Sequence, residues 1–136
     1  IGGNDEIVLR EGHNIGIGGA FDDTITSGSG RDIVAGDSVV ILFNTRDALT
    51  TNIKSMDPSI GGDDIMELGD GEHIGIGGAY NDTILCGTGH DIVAGDSVEI
   101  YFINGSTAIQ SITSLDTDIG GRDDIFLGDG NNTCIG

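Results

Sequence analysis

The sequence predicts an all-β fold, a single continuous solenoid of short parallel strands joined by tight turns. Three observations support this fold class: a repeat of 59 residues, a period of nine residues inside it, and an abundance of glycine. Glycine accounts for 25 of the 136 residues, whereas proline occurs once, which excludes collagen. Tight turns need φ > 0, and glycine adopts that conformation without steric cost.

The 59-residue repeat divides the chain into three units. Residues 12–39 and 71–98 agree at 20 of 28 positions under this shift, and Ile-Gly-Gly stands at 1–3, 60–62 and 119–121. Unit 1 is therefore 1–59, unit 2 is 60–118, and unit 3 begins at 119 and runs to 136. Because the array begins and ends inside a repeat, we expect the chain to be part of a longer protein.

Each complete unit contains four nonapeptides, in which two places are regular. The sixth place holds Asp, Asn or His, and the eighth place holds an apolar residue or Gly. A nonapeptide has room for a turn of about six residues and a strand of about three, so two nonapeptides form a coil. We expect the coils to stack at about 4.8 Å, with the eighth-place side chains pointing inward as ladders.

Two nonapeptides carry a resemblance to a known family. GSGRDIVAG (28–36) and GTGHDIVAG (87–95) are similar to the pattern G-G-x-G-x-D-x-(aliphatic)-x of calcium-binding RTX (repeats-in-toxin) repeats. The resemblance implies a right-handed parallel β-roll that binds Ca²⁺. The interrupted 59-residue unit resembles those of long bacterial surface and adhesin-type proteins. The chain departs from the pattern at Phe21 and Tyr80, which stand in the fourth place, where the family has Gly.

The sixth-place carboxylates are the candidate metal ligands. On one edge of the solenoid they recur every 18 residues, as Asp5 with Asp23 and Asp64 with Asp82. Stacked anions repel unless a cation lies between them, and calcium is a hard ion that prefers several oxygen ligands, including turn carbonyls. Oxygen ligands without Cys or paired His disfavour zinc and copper. The predicted calcium ligands are Asp5, Asp23, Asp32, Asp64, Asp82, Asp91 and Asp123.

The opposite edge is less regular. Its sixth places hold Asn14, Asp32, His73, Asp91 and Asn132, so no two carboxylates are adjacent there, and we expect calcium mainly on the first edge. The alternative for all these Asp residues is turn capping through side-chain hydrogen bonds. For His73 the alternatives are a transition-metal ligand and an exposed or turn-capping histidine.

An insert of 23 residues interrupts the nonapeptides, at 36–58 and again at 95–117. Alternating residues at 39–43 and 98–102 predict a strand, followed by a loop at 44–47 or 104–107 and a second β-rich run. We expect each insert to form one enlarged coil that keeps the nonapeptides in phase, so that a unit has three coils and spans roughly 14 Å. A helix is the alternative, which the β-branched content disfavours.

An apolar stripe occupies outward positions near the opposite edge. A repeated exposed apolar surface predicts that something covers it, either the neighbouring enlarged coil or a second chain. In the second case these residues would mediate self-association or contact with a cell-surface or matrix partner. The stripe consists of Ile15, Ile17, Ile33, Ile74, Ile76 and Ile92.

Composition and motifs restrict the function further. Asp and Glu number 23 against 5 Lys and Arg, a net charge of -18, which argues against a nucleic-acid partner. No apolar stretch is long enough to predict a membrane span. We expect no enzyme activity because no catalytic motif is present. Cys86 and Cys134 are expected to be packing residues or to form a mutual disulfide. Glycosylation sequons occur at Asn81, Asn104 and Asn131.

The sequence therefore predicts a calcium-stabilised structural or adhesive segment of a large secreted or cell-surface protein. At low calcium the charge of -18 would keep the chain expanded, and at extracellular calcium its neutralisation would let the coils stack. One alternative is a building block of an extracellular filament or layer formed by lateral packing. Another is the folding or secretion module of an exported RTX enzyme. Ice binding is disfavoured because Thr24, Thr26 and Thr83 form no continuous row.

Overall fold

The computed structural model describes residues 2–115 and 117–136, which contain fourteen β-strands and no helix. Ile1, at the start of unit 1, and Asp116, in the second insert, lie outside the described residues. The all-β prediction is confirmed. The strands β1 to β14 are Glu6–Val8, Ile15–Gly19, Thr24–Thr26, Ile33–Asp37, Val39–Phe43, Thr50–Ser55, Ile65–Leu68, Ile74–Gly78, Thr83–Cys86, Ile92–Asp96, Val98–Phe102, Ile109–Ser114, Asp124–Phe126 and Thr133–Ile135.

Ten of these strands, from the nonapeptides, form two parallel sheets. The first parallel sheet has the order β1-β3-β7-β9-β13, and the second has the order β2-β4-β8-β10-β14. Successive nonapeptides contribute alternately to the two sheets. One strand from each sheet, with its turns, makes one coil, and the described residues contain five coils. This parallel architecture is compatible with the predicted solenoid.

The core between the two parallel sheets is built from the eighth-place residues. Ile7, Ile25, Met66, Ile84 and Ile125 stand in register across the first parallel sheet. In the second sheet a Gly replaces the aliphatic side chain in alternate coils, and a Cβ at Gly75 would stand 3.0 Å from Leu68 Cδ1. The leucine thus fills the space that the glycine leaves. The buried members of this core are Ile25, Val34, Met66, Leu68, Ile84 and Val93.

The prediction that each insert forms an enlarged coil is wrong. Strand β3 pairs directly with β7, and β4 with β8, so the stack of coils continues as if the first insert were absent. Each insert instead folds on itself as an antiparallel hairpin, β5–β6 or β11–β12, which satisfies its backbone hydrogen bonds without a place in the stack. A unit therefore contributes two coils, roughly 10 Å of axis, rather than three.

The two hairpins join into one four-stranded antiparallel sheet, the hairpin sheet, of order β12-β11-β6-β5. The junction between them is the pairing of β6 with β11, in which Ile53 lies opposite Ile100. Beside this pair, Lys54 Nζ lies 3.6 Å from Glu99 Oε2. Continuous backbone pairing thus links the inserts of units 1 and 2 to each other.

The hairpin sheet covers most of the apolar stripe from within the chain. Ile74 and Ile76 are only 3% and 1% exposed, because they pack with Ile53 and Ile100 of the hairpins in a second buried cluster. Ile33 and Ile92 are partly buried against the same cluster. Ile15 and Ile17, in contrast, are 47% and 38% exposed. The stripe is therefore covered by hairpins rather than by enlarged coils, and Ile15 and Ile17 are its accessible part.

Candidate metal centre

The sixth-place carboxylates of Asp5, Asp23, Asp64, Asp82 and Asp123 form one column along the turns that precede the first parallel sheet. We call this column the acidic edge. The backbone N–H of each of the first four residues donates to Oδ1 of the next Asp, at 2.7, 2.7, 2.9 and 3.0 Å. The sequence predicted two separate pairs with an insert coil between them. Because each hairpin is bypassed, all five residues follow one another in a continuous series.

The second carboxylate oxygen distinguishes metal binding from simple turn capping. Oδ2 is buried without a hydrogen-bond partner in Asp23, Asp64 and Asp82, within the part of the chain that the structure describes. Capping accounts for Oδ1 in each case, so the alternative interpretation explains half of each carboxylate. Leaving the other oxygen buried and unpaired is costly unless it is protonated or bound to a cation.

Glycines of the second parallel sheet form a cradle around these unpaired oxygens. A Cβ on Gly36 would collide with Asp64 Oδ2 and stand 2.8 Å from the carbonyl oxygen of Gly77. A Cβ on Gly77 would likewise collide with Asp82 Oδ2 and with the carbonyl oxygen of Gly95. Two acceptor oxygens thus share each small space, and a hard cation such as calcium is bound by that combination of carboxylate and carbonyl oxygens.

Burial also shapes the electrostatics of the acidic edge. Desolvation, reinforced by neighbouring carboxylates, raises the pKa of Asp64 to about 7 and the pKa of Asp82 to about 8. Desolvation likewise raises the pKa of Asp23 and Asp123. Hydrogen bonds from the backbone oppose the shift in each case. Ionising these groups together without a cation is therefore unfavourable.

The opposite edge shows the same hydrogen-bonding pattern with weaker ligands. Asn14 N–H donates to Asp32 Oδ1 at 2.8 Å, and Asp32 N–H donates to Nδ1 of His73 at 3.3 Å. His73 is completely buried and caps a turn, and its Nε2 has no partner among the described residues. Oδ2 of Asp32 and Asp91 is also buried and unpaired there.

The glycines near the opposite edge do not cradle a sixth-place carboxylate. A Cβ on Gly28 or Gly69 would meet backbone atoms first. The combination of a sixth-place carboxylate with a carbonyl oxygen around a glycine is thus found at the acidic edge, whereas the carboxylate near Gly87 on the opposite edge belongs to the exposed Asp70. This difference supports the expectation that calcium binds mainly at the acidic edge.

Sequence reasoning missed two carboxylates, Asp37 and Asp96, which stand where each hairpin leaves the second parallel sheet. Asp37 is buried, and its Oδ2 accepts a hydrogen bond from Ala79 N–H at 2.6 Å. In unit 2, Asp96 Oδ1 accepts one from Gly121 N–H at 3.0 Å. The signal was present, since both inserts begin with Gly-Asp-Ser-Val, but it lies outside the nonapeptide pattern.

The donor set fits a hard cation, provided that the backbone takes part. Across residues 2–115 and 117–136, no three His, Cys, Asp or Glu side chains converge as metal ligands. An ion at the acidic edge would therefore need carbonyl oxygens beside the carboxylates, and the glycine cradles supply them. Cys86 and Cys134 are free thiols in the structure, and burial raises the pKa of Cys86 to about 12 and raises that of Cys134.

No family model matches this chain, and neither the curated proteins nor the solved structures include a similar one. The described residues include no helix that is long and apolar enough to cross a membrane.

Proposed function

We propose that this chain is a calcium-stabilised structural or adhesive segment of a large secreted or cell-surface protein, without enzyme activity, and that it belongs to the RTX repeat type. Its two parallel sheets would then be the faces of a right-handed parallel β-roll. The observation that carries the proposal is the set of buried, unpaired Oδ2 atoms of Asp23, Asp64 and Asp82 held against glycine cradles.

The residues that would hold calcium follow from those contacts. Asp64 Oδ2 with the Gly77 carbonyl, and Asp82 Oδ2 with the Gly95 carbonyl, supply oxygen ligands from neighbouring coils. Asp5, Asp23 and Asp123 extend the acidic edge in both directions. Asp32 and Asp91 of the opposite edge would be weaker ligands. Bound calcium would supply positive charge that neutralises carboxylates which the fold brings together.

Calcium would thereby control folding. The chain carries a net charge of -18, and folding moves several carboxylates into the interior without a cationic side chain beside them. A cation that binds only the folded state stabilises it in proportion to the logarithm of its concentration. The segment would be expanded where calcium is scarce and stacked where calcium is abundant, as it is outside cells.

Circular dichroism with EDTA tests this proposal. We expect the β signal of the calcium-loaded chain to be lost in EDTA and to return when calcium is restored in excess. Magnesium should restore less, because it retains its water and requires a smaller, octahedral site. A spectrum that EDTA leaves unchanged would rule out calcium-dependent folding.

A pair of matched variants separates specific binding from general charge effects. Asp64→Asn removes a buried carboxylate of the acidic edge, whereas Asp129→Asn makes the same charge change at an exposed position. We expect the first variant to need at least tenfold more calcium for half-maximal folding and the second to resemble the unmodified chain. Equal effects of the two substitutions would indicate that only total charge matters.

A second candidate function is lateral self-association into a filament or layer. Exposed apolar side chains on β2, the edge strand of the second parallel sheet, would mediate it: Ile15 and Ile17 are accessible, whereas Ile74 and Ile76 on the interior strand β8 are buried under the hairpin sheet. Sedimentation of the calcium-loaded chain distinguishes this candidate, because a structural spacer stays monomeric and a filament protein forms large species that substitution of Ile15 by Ser would disperse.

A further inference from the structure

The turns on the acidic edge are of two kinds, and the difference coincides with the hairpins. Where the chain passes directly from the second parallel sheet to the first, the cradle glycine is followed by another glycine, at 18–19 and 77–78. Where a hairpin intervenes, the cradle glycine is followed by aspartate, at 36–37 and 95–96. Each hairpin therefore begins with a carboxylate beside the cradle.

The first of these carboxylates, Asp37, is enclosed between two other parts of the chain. It is 4% exposed, and its carboxylate oxygens lie where a Cβ on Gly61 or Gly78 would be. Gly61 lies on the segment that returns from the hairpin, and Gly78 lies in the next coil. Asp37 thus contacts both the returning chain and the neighbouring coil.

Hydrogen bonds satisfy only part of the Asp37 carboxylate. Its Oδ2 accepts from Ala79 N–H, and the nearby Gly62 N–H also stabilises the carboxylate, but its buried Oδ1 makes no hydrogen bond of standard geometry with the described residues. Asp64 is in the same position, because its Oδ1 accepts from Asp23 N–H and its Oδ2 is unpaired. Asp64 Oδ2 lies against Gly36, the residue that precedes Asp37 in the chain. Each of these two carboxylates therefore has an incompletely satisfied oxygen near the base of the hairpin.

No cationic side chain compensates them. Among the described residues, a basic side chain lies within 4.0 Å of a carboxylate in Lys54 with Glu99 and in His73 with Asp32, and neither contact involves Asp37 or Asp64. Burial raises the pKa of Asp37 to about 6, and the charge of Asp37 in turn contributes to the raised pKa of Asp64. Asp96 acts on Asp123 in the same way in unit 2. Each hairpin base thus combines a carboxylate of the acidic edge with a carboxylate from the insert.

We propose that Asp37 and Asp96 are cation ligands contributed by the hairpins, so that a divalent, oxygen-preferring cation at the acidic edge also fastens each hairpin to the stack of coils. This inference rests on the proposed calcium function and extends it. A turn with Gly-Gly offers one carboxylate to the ion, and a turn with Gly-Asp offers two. Sites at the hairpin bases should therefore bind calcium more tightly than the sites at the two uninterrupted turns.

Hydrogen–deuterium exchange of the full chain, with and without calcium, tests the inference and contains its own control. In the unmodified chain, we expect calcium to increase the protection of both hairpins, β5–β6 and β11–β12. Asp37→Asn should abolish the increase in β5–β6 and retain it in β11–β12, and Asp96→Asn should do the reverse. Calorimetric titration with calcium should show at least a tenfold loss of affinity at one class of site in either variant.

The same variants show whether Asp37 binds the cation or serves only as a hydrogen-bond acceptor that holds the hairpin in place. The Asn side chain retains an oxygen that accepts the Ala79 N–H bond, so Asp37→Asn should unfold in EDTA at the same temperature as the unmodified chain or higher. If Asp37 is only a hydrogen-bond acceptor, the variant should keep the calcium affinity and the calcium-dependent protection of the unmodified chain. That result would overturn the inference. If Asp37→Asn fails to fold, Asp96→Asn provides the same comparison at the second hairpin base.

Failure of the broader proposal gives a different result. If the unmodified chain neither binds calcium nor gains protection from it, both the calcium function and the hairpin ligands are wrong. If the unmodified chain binds calcium and the two Asn variants bind it equally well, the carboxylates of the acidic edge bind the ion. Only the proposed ligand role of Asp37 and Asp96 would then be wrong.

Discussion

Gly36 illustrates how single residues of this chain are constrained by their neighbours rather than by their own backbone angles. Its φ is not in the left-handed region, so alanine is allowed locally. A Cβ there would nevertheless collide with Asp64 Oδ2. The glycine is therefore required by the oxygen atoms that crowd it, which are the atoms that we propose to bind calcium.

Substitution of Gly36 by Ala should consequently weaken calcium binding. We expect at least a tenfold loss of calcium affinity at the first hairpin base, because the methyl group displaces Asp64 Oδ2 from the cradle. Gly75→Ala is the matched control: the nearest atom to its Cβ is Leu68 Cδ1, at 3.0 Å, the end of a flexible side chain. Calorimetric titration of both variants measures the difference, and equal affinities would show that the cradle does not bind the ion.

Two residues accept backbone strain in the place where the resembled family has glycine. Phe21 and Tyr80 both have φ of 76°, a conformation that costs a non-glycine residue roughly 1–2 kcal/mol. The sequence identified these positions as departures from the pattern, and the structure shows that the backbone keeps the glycine-like conformation. The turn geometry is therefore imposed by the stacked coils and not by the local residue.

At this scale the sequence predicted the acidic edge well and the hairpin bases poorly. The nine-residue period places Asp5, Asp23, Asp64, Asp82 and Asp123 in one column, and the structure brings them together. Asp37 and Asp96 lie outside that period, so nothing in the pattern predicted their partners. The burial of His73 was also missed, because a histidine in a turn has no periodic signal for the interior.

The elements that depart most from expectation are the inserts. Alternating apolar residues correctly predicted strands at 39–43 and 98–102, and a loop after each of them. Alternation does not specify the partner of a strand, however, and an antiparallel hairpin and an enlarged coil present the same pattern. The decisive property is that β5 pairs with β6 locally, which leaves β4 free to pair with β8.

The packing of the hairpin sheet on the second parallel sheet should contribute substantially to stability. Ile100 is buried in this interface, whereas Ile103, in the loop of the same hairpin, is 49% exposed. We expect Ile100→Ala to lower the free energy of unfolding by about 2–5 kcal/mol, as is usual for buried aliphatic residues, and Ile103→Ala to have a small effect. Chemical denaturation in calcium measures both values. Similar losses in the two variants would show that the hairpin sheet does not pack on the coils.

For the molecule as a whole, the buried carboxylates couple folding to protons as well as to cations. Burial raises the pKa of Asp37, Asp64 and Asp82 from an ordinary value of 3.8 to about 6, 7 and 8. The unfolded chain therefore releases these protons at lower pH than the folded, metal-free chain does. In EDTA, the stability that these three carboxylates contribute is fully present below about pH 4. It is lost as the pH rises through 6 to 8.

We accordingly expect the melting temperature in EDTA to be higher at pH 5 than at pH 8. The difference should be at least several degrees, since about 1 kcal/mol shifts the melting temperature of a domain of this size by roughly 3–6 °C. Calcium should reduce or reverse the trend, because it stabilises the ionised carboxylates. The triple variant Asp37→Asn, Asp64→Asn, Asp82→Asn should lose most of the dependence and retain the part due to Asp23 and Asp123. A melting temperature in EDTA that is constant or rises between pH 5 and pH 8 would contradict the assignment.

At the scale of the whole chain, the sequence predicted an all-β architecture with parallel strands but not the number of coils in each unit. Periodicity reports which residues share an environment, and it placed the nonapeptide strands correctly in two sheets. It does not report whether an interruption enters the stack or leaves it. That choice depends on tertiary pairing, which acts between residues 41 positions apart, such as Asp23 and Asp64.

The bypassed hairpins have a geometric consequence for the length scale of the protein. Each unit adds two strands to each parallel sheet and two strands to the hairpin sheet. Neighbouring strands are about 4.8 Å apart in any sheet, so all three sheets advance by the same roughly 10 Å per unit. The layers are thus commensurate, and further units would add no accumulating mismatch between them. A tandem array of such units would be a rod that carries one hairpin about every 10 Å along the same face, so that anything bound to the hairpins would be regularly spaced.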